Sequence, residues 1–317
     1  MNSRVNVGQP TFYRVIACAF ICSLFASAAI AADDYALKGE QSCLKCHDEA
    51  PVNLILHTPH AQKADSRTPF AGHQCETCHG ASPEHVKTGD RKERLPEPPA
   101  VVFGMSKKDY QPSDISTQNK ICLDCHESGL RMHWTSSKHQ FADVPCASCH
   151  EVHALKDPVL EKSSQPDVCF TCHKDKRAQI HKRSRHPVRE GKVSCSDCHN
   201  PHGSPGPSQL AKNTVNETCY QCHAEKRGPF LWEHQPVREE CTLCHDPHGS
   251  TQPRMLKVRQ PWLCQQCHEE AYHPSTLYSG DDIPPTGAAQ QLLMKSCTNC
   301  HSKIHGSNHP SGPRFTR

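Results

Sequence analysis

Cysteine and histidine are the residues through which this chain can do chemistry, since its 317 residues include 22 cysteines and 25 histidines. Ten copies of one pattern, Cys-x-x-Cys-His, use twenty of these cysteines. This spacing is the attachment signature of c-type haem: the two thiols add to the haem vinyl groups as thioethers, and the adjacent imidazole coordinates the iron. The sequence therefore predicts ten covalently bound haems of the c type.

Every cysteine after residue 31 belongs to one of the ten motifs. The predicted attachment residues are Cys43, Cys46, Cys75, Cys78, Cys122, Cys125, Cys146, Cys149, Cys169, Cys172, Cys195, Cys198, Cys219, Cys222, Cys241, Cys244, Cys264, Cys267, Cys297 and Cys300. The predicted proximal ligands are His47, His79, His126, His150, His173, His199, His223, His245, His268 and His301.

Two other uses of paired cysteines compete with haem attachment. A disulfide framework suits an exported protein, and zinc sites also contain Cys-x-x-Cys. Neither gives a reason for a histidine directly after the second cysteine in all ten motifs. The motifs therefore favour haem, because the two vinyl groups account for the two cysteines and the iron accounts for the histidine.

The first 31 residues have the pattern of a secretory signal peptide. Arg14 precedes an apolar run over residues 15–30, and Ala-Ile-Ala at 29–31 supplies a cleavage site. A membrane-spanning helix needs about 20 apolar residues, more than this run offers. The sequence predicts removal of residues 1–31 and export of the mature chain to the periplasm.

The composition lacks the apolar side chains that normally fill a core of this size. Only 35% of residues count as hydrophobic, cysteines included, with 9 Phe, 6 Tyr and 3 Trp, while Pro numbers 26 and Gly 16. Covalent haem would fill the interior instead. The expected fold is a multihaem cytochrome c: an elongated, haem-packed chain, mostly irregular, with short α-helices starting at the motifs, as at Ile121–Glu127. The net charge of +3 is not gathered into a patch, so nucleic acid is excluded as a partner.

The motifs form a five-fold repeat of two motifs each. The units are residues 43–85, 122–153, 169–202, 219–248 and 264–305. Each unit has one further histidine after its first motif and one after its second. These are the predicted distal ligands, His60, His85, His139, His153, His186, His202, His234, His248, His273 and His305.

The short spacing after the second motif predicts contact between haems. His202 follows the motif residue His199 by three positions, so the porphyrin of His199 would stand between His202 and the far face of that iron. His202 is therefore expected to serve a neighbouring haem, and ligands about 5–6 Å apart bring two haems together. The histidines left over are expected at the surface or beside haem propionates. They are His57, His73, His133, His181 and His309, of which His57, His181 and His309 lie close enough to a chosen ligand to replace it.

Two longer inserts interrupt the array near its ends. Residues 86–121 form a charged, Pro-rich connector, and residues 274–296 form a second insert. Five motifs precede residue 180 and five follow it. The expected organisation is two pentahaem halves, residues 32–180 and 181–317.

Taken together, the motifs and their spacing resemble the periplasmic decahaem cytochromes of the MtrA, DmsE, MtoA and PioA type. The similarity covers essentially the whole mature chain and includes the local strings of residues 195–203, 224–229 and 305–310. The resemblance implies histidine on both sides of all ten irons and an extended row of haems. It also implies an outer-membrane β-barrel porin around the chain, an inner-membrane or periplasmic cytochrome on one side, and an extracellular multihaem cytochrome or reductase on the other.

Three functions remain in competition. The leading hypothesis is a non-catalytic electron carrier that relays electrons between the periplasm and the cell exterior, in metal reduction or Fe(II) oxidation, because ten filled axial pairs leave no iron open to a substrate. A soluble periplasmic electron shuttle would use the same haem sites. A multihaem reductase, for example of nitrite, requires an open iron or a lysine in place of a motif histidine, and no Cys-x-x-Cys-Lys occurs.

Overall fold

The computed structural model describes residues 35–36, 38–89, 96–104, 110–268 and 296–316. The predicted signal peptide, parts of both inserts and the candidate ligand His273 lie outside these residues.

The described chain consists of short helices joined by irregular segments, which confirms the predicted architecture. The α-helices are α1 (Glu40–Cys43), α2 (Cys75–His79), α3 (Pro83–Gly89), α4 (Ile115–His126), α5 (Lys138–Phe141), α6 (Gln165–Phe170), α7 (Lys174–Ile180), α8 (Val215–Tyr220), α9 (Gln235–Glu239) and α10 (Trp262–Gln265). Single 3₁₀ turns span Val52–His57, Pro59–Ala61, Pro69–Ala71, Gly129–Arg131, Cys146–Ser148, Pro158–Leu160, Cys195–Asp197, Pro207–Gln209, Ala224–Lys226, Cys241–Leu243, Pro253–Met255 and Cys297–Asn299. Extended pairing within the described ranges is limited to isolated β-bridges.

The expectation that helices start at the motifs is wrong for the first motif of each unit, where the helix begins two to seven residues before the first cysteine. Helix α4 begins six residues before the predicted Ile121 and ends at the motif residue His126. The earlier turns are stabilised by Gln118, whose side chain is only 1% exposed. Its amide exchanges two hydrogen bonds with the backbone of Gly104, both 3.0 Å long. A tertiary contact therefore extends this helix, and no local pattern near the motif indicates it.

The apolar core of the protein part is small, as the composition predicts. The buried apolar residues are Ile55, Phe70, Val101, Val102, Trp134, Phe170 and Ile180. Buried polar side chains outnumber them among the described residues. No helix in those ranges combines the length and the apolar character that a membrane span requires.

Neighbouring units join through the segment that follows each second motif. Ser250 and Ser184 exchange two backbone hydrogen bonds of 2.8 and 3.0 Å, and Trp232 and Ser307 exchange two of 2.9 and 3.0 Å. Each contact links one unit to the next along the chain. Gln165 and Ser196, on either side of residue 180, are also joined by two hydrogen bonds, one donated by each residue. The division into two halves at residue 180 stays a prediction.

Three of these junctions have a glycine because neighbouring atoms lie too close for a side chain, backbone at Gly203 and Gly249 and the Phe230 ring at Gly306. Gly203, Gly249 and Gly306 all have positive φ, and each directly follows a candidate distal histidine. A Cβ atom on Gly203 would lie 2.3 Å from the carbonyl oxygen of His133, and one on Gly249 would lie 2.3 Å from that of Gln179. The recurring His-Gly pair is thus a packing requirement between consecutive units.

Replacement of Gly249 by alanine should lower the free energy of unfolding of the haem-loaded protein by more than about 1 kcal/mol, because the new methyl group collides with backbone and φ is 139°. Denaturant unfolding would measure the change. Gly129→Ala is the matched control, since φ is also positive there (66°) but nothing lies near the added Cβ. Equal losses in the two variants would show that close packing at this junction contributes nothing.

Candidate haem sites

A single helical turn arranges the three reactive groups of each motif. The backbone N–H of the motif histidine donates to the carbonyl of the first cysteine, four residues earlier, as in His150 to Cys146 at 3.0 Å and His199 to Cys195 at 2.9 Å. Successive residues of such a turn are spaced by about 100°, so the cysteine at the first position and the histidine at the fifth point to one side. None of the twenty motif cysteines forms a disulfide.

Each described candidate distal histidine lies opposite a motif histidine. In nine pairs the ring centres are between 6.0 and 6.3 Å apart. The pairs, motif histidine first, are His47–His85, His79–His153, His126–His60, His150–His202, His173–His139, His199–His248, His223–His186, His245–His305 and His268–His234.

This separation fits two imidazoles that share one iron. A metal–imidazole nitrogen bond is about 2 Å long and the ring centre lies about 1.1 Å beyond that nitrogen, so two imidazoles on opposite sides of a metal have centres about 6.2 Å apart. Direct ring stacking would be closer, as in Tyr35 on His73 at 3.7 Å. The gap between the paired histidines therefore has the width of a haem iron with its two bonds, and the motif cysteines beside it fit the c-type attachment.

The pairing joins different repeat units by a simple rule. The histidine that follows a first motif, here termed a forward histidine, pairs with the first motif of the next unit. The forward histidines are His60, His139, His186 and His234. The histidine that follows a second motif, a backward histidine, pairs with the second motif of the preceding unit. The backward histidines are His153, His202, His248 and His305. Every site between the ends thus takes its two imidazoles from two units.

The first unit departs from the rule because no unit precedes it. His85, which would otherwise be a backward histidine, lies 6.1 Å from His47 of its own unit. At the other end the corresponding residue is His273, which lies outside the described residues, and it stays a prediction.

Hydrogen bonds fix the tautomer of several motif histidines and distal candidates. Nδ1 of His199, His245 and His301 lies 3.0, 2.9 and 2.6 Å from a backbone carbonyl oxygen. Among the distal candidates, His139 and His186 bond the carbonyls of Pro201 and Pro247 at 2.7 and 2.8 Å. A carbonyl only accepts, so Nδ1 carries the proton and Nε2 keeps the lone pair that a metal requires.

Burial favours the neutral form at several of the paired imidazoles. It lowers the pKa of His202 and of His305 to about 4, with nearby cationic groups adding to the effect. Burial likewise lowers the pKa of His60, His199 and His248. Because an imidazole must be neutral to coordinate a metal, this lowering of the pKa favours the form of these side chains that can bind iron.

Contacts between cysteines set the order of the sites. Within each unit the two first cysteines of the motifs lie within hydrogen-bonding reach. The pairs are Cys43–Cys75, Cys122–Cys146, Cys169–Cys195, Cys219–Cys241 and Cys264–Cys297. In the second unit this bond lowers the pKa of Cys122 and raises that of Cys146.

Between units the second cysteine of one motif approaches the next unit. Burial and then the nearby thiols of Cys122 and Cys125 raise the pKa of Cys78 to about 11. The later junctions repeat this proximity, as for Cys149 with Cys172 and for Cys244 with Cys267. Consecutive motifs are therefore neighbours in space throughout, alternately through their first and their second cysteines.

Buried amide side chains, which the sequence interpretation missed, hold the two motifs of a unit together. Asn119 accepts from the N–H of Cys146 at 2.8 Å, and Asn216 accepts from the N–H of Cys241 at 2.7 Å. Gln165 accepts from Ser196, beside the first cysteine of its second motif, at 2.9 Å. These three residues, termed the linking amides, lie three or four positions before a first motif. That recurrence is the signal by which the sequence could have revealed them.

The leftover histidines have other surroundings. The ring of His73 stacks on Tyr35, with an interplanar angle of 11°. Nδ1 of His309 accepts the N–H of Ser311 at 3.1 Å. His133 and His181 are exposed.

Paired imidazoles and twin thiols at consecutive sites define a multihaem c-type cytochrome, and comparisons with known proteins agree. Residues 186–228 and 234–273 match the family described as doubled CXXCH motif. Residues 75–166 match the cytochrome c-type protein NrfB-like family, and residues 25–80 match cytochrome c554 and c-prime.

The chain is 48% identical over 289 residues to multiheme cytochrome MtrA of Shewanella baltica, covering 90% of this chain and 83% of that protein. It is also 30% identical over 145 residues to cytochrome c-type protein NrfB of Escherichia coli, covering 44% of this chain and 67% of that protein. The chain belongs to the MtrA family of multihaem c-type cytochromes. It binds haem c and is an electron-transfer protein, as the motifs predict.

Replacement of Asn216 by alanine should lower the free energy of unfolding by about 1–3 kcal/mol, because the N–H of Cys241 and the carbonyls of Val237 and Arg238 lose a buried partner. Denaturant unfolding of the haem-loaded protein measures the change. Asn213→Ala is the matched control, since Asn213 is exposed in the same segment. If both variants unfolded like the parent, the linking amide would have no structural role.

Proposed function

We propose that this protein carries ten c-type haems, each held by two histidines, and that it relays electrons in chain order between the periplasm and the cell exterior through an outer-membrane β-barrel porin. The observation that carries the proposal is the 6.0–6.3 Å separation in the nine histidine pairs. In this proposal the tenth pair is His301 with His273. The reason is that the fifth unit, like the first, has a neighbouring unit on one side only, so its two remaining histidines pair within the unit.

Two imidazoles at an iron make the site one for electron transfer and not for catalysis. Haem c bound in this way supplies a one-electron iron couple with both axial positions filled. A substrate that must coordinate iron finds no open position at such a site. The paired histidines therefore support an electron carrier over a multihaem reductase.

The cysteine contacts support a relay that runs from end to end. Consecutive motifs are close to each other alternately through first cysteines, as at Cys219 and Cys241, and through second cysteines, as at Cys149 and Cys172. Because a thioether holds the edge of each porphyrin at its cysteines, cysteines close in space favour short edge-to-edge gaps. The chain thus favours transfer between neighbouring sites in the order of the sequence.

The cellular setting follows from the family and the amino-terminal pattern. The signal-peptide pattern over residues 1–31 supports export to the periplasm. The similarity to MtrA supports a porin around the chain, with an inner-membrane or periplasmic cytochrome as one redox partner and an extracellular multihaem cytochrome or reductase as the other. The composition, with only 35% hydrophobic residues, agrees with this setting, since large barrels have polar lumens.

Replacement of His248 by alanine should convert one of ten low-spin haems to high spin, because the site of His199 loses its second imidazole. Electron paramagnetic resonance of the oxidised protein and a pyridine haemochrome count would follow spin state and haem content. His181→Ala, which changes an exposed histidine of the third unit, is the control and should leave ten low-spin haems. High-spin signal in the parent protein, or none in the His248 variant, would contradict the ligand assignment.

The relay across the outer membrane is tested in the organism that makes the protein. Outer membranes solubilised in mild detergent should yield a haem-staining band that comigrates with a β-barrel protein on a native gel. Deletion of that barrel should release the haem band into the soluble periplasm. Recovery of the parent protein solely from the soluble periplasm would replace the relay with a soluble electron shuttle.

A further inference from the structure

One of the five second-motif histidines has a different hydrogen-bond acceptor from the rest. In four units Nδ1 of this histidine bonds a backbone carbonyl 9 to 22 residues further on. These bonds are His79 to Val101, His199 to Ser208, His245 to Arg254 and His301 to Arg314, at 3.1, 3.0, 2.9 and 2.6 Å. In the second unit Nδ1 of His150 lies 2.7 Å from Oδ2 of the Asp157 carboxylate. The repeat thus contains four natural references for one unusual site.

The Asp157 carboxylate is held in place by the backbone around it. Its Oδ1 accepts the N–H groups of Glu151 at 3.2 Å and Val159 at 3.3 Å, so that only Oδ2 is directed at the imidazole. The side chain is 14% exposed and caps the turn Pro158–Leu160. Among the described residues Asp157 forms no ion pair with a lysine or an arginine, so a neighbouring cation does not neutralise it.

Among the described residues, only one of the two imidazoles at this site, that of His150, bonds an acceptor through Nδ1. The partner imidazole, His202, has its ring centre 6.1 Å from that of His150. Its Nδ1 is buried and bonds no other described residue. A carboxylate does lie near another motif histidine, Glu225 at 3.9 Å from Nδ1 of His223, but that distance exceeds a hydrogen bond and both groups are exposed.

We propose that Asp157 lowers the reduction potential of the fourth haem relative to the haems whose second-motif histidine bonds a carbonyl. A charged acceptor draws the Nδ1 proton more strongly than a carbonyl does, which makes His150 a stronger electron donor to iron. Stronger donation stabilises ferric over ferrous iron, and axial-ligand hydrogen bonding is one of the ways in which a protein sets haem potential. The inference rests on the proposed ligation by His150 and adds a positioning residue to it.

For the relay this places a lower-potential site at a defined position. The fourth site lies between the third and the fifth in the order indicated by the cysteines. In this proposal its potential lies below those of the second, sixth, eighth and tenth sites, whose motif histidine bonds a carbonyl.

The test is Asp157→Asn in the full-length haem-loaded protein. Asparagine keeps the shape and removes the charge, but its single oxygen replaces only one of the two that Asp157 uses. Whether this oxygen accepts from the capping N–H groups or from His150, the imidazole no longer has a carboxylate as its acceptor. Spectropotentiometric titration should show one of ten one-electron components with an equilibrium constant for reduction about tenfold larger, a shift of about 59 mV to higher potential. The near-infrared charge-transfer band of one ferric haem should move with it.

Asp246→Asn is the matched control. Asp246 directly follows the motif residue His245, and its carboxylate accepts the backbone N–H of His248 at 3.3 Å but bonds no imidazole. Asn200 occupies the same position in the preceding unit, so the substitution is one that the repeat already contains. Asp157→Glu, which restores a carboxylate, should recover most of the parental titration.

The outcomes separate this inference from the proposed function. Ten low-spin haems in the parent and in both asparagine variants, with the shifted component confined to Asp157→Asn, would support it. Superimposable titrations, or equal shifts in the Asp157 and Asp246 variants, would overturn it while leaving ligation intact. High-spin haem in the parent would instead overturn the ligation on which it depends.

Discussion

The fold depends on the pairing of imidazoles from different repeat units. A unit alone has two motif histidines, and each of those between the ends faces a ring contributed by a neighbour, as His150 faces His202 and His173 faces His139. Nine of the ten described α-helices have only four to seven residues, and helices this short have little stability of their own. What fixes the path of the chain is therefore the set of long-range pairs, supported at the junctions by close backbone contact at glycine.

This constraint explains why so little regular structure and so few apolar residues suffice. Buried polar groups such as Gln118, Asn119 and Asn216 are each bonded to backbone. They act as local braces between segments that ladders of backbone hydrogen bonds would connect in other folds. A protein part of this kind positions ligands around a large apolar cofactor, and the cofactor supplies the bulk of the interior.

Much of this organisation could be predicted from the sequence because haem attachment depends on residues that lie within five consecutive positions. The motifs indicate haem attachment, and the three-residue spacing between His199 and His202 indicates that these two histidines belong to different haem sites. The identity of the partner unit could not be predicted, since the forward and backward directions depend on how the units pack. Helix α4 and the linking amides were missed for a similar reason: their hydrogen bonds join residues 14 to 31 positions apart. The hydrogen bond from His150 to Asp157 was also missed. Its acceptor is a side chain, whereas the other units use a backbone carbonyl, and no periodic pattern in the sequence predicts it.

The two directions of pairing have a consequence for how such proteins can vary in length. A unit in the middle gives one histidine forward and one backward, and it receives one from each side. Insertion or loss of a whole middle unit therefore leaves every pair matched, whereas a change of one motif leaves imidazoles unpaired. Only the terminal units need an exchange of partners, as His85 with His47 illustrates. Arrays of this design should grow in steps of two motifs, which gives evolution a way to adjust their reach in fixed increments.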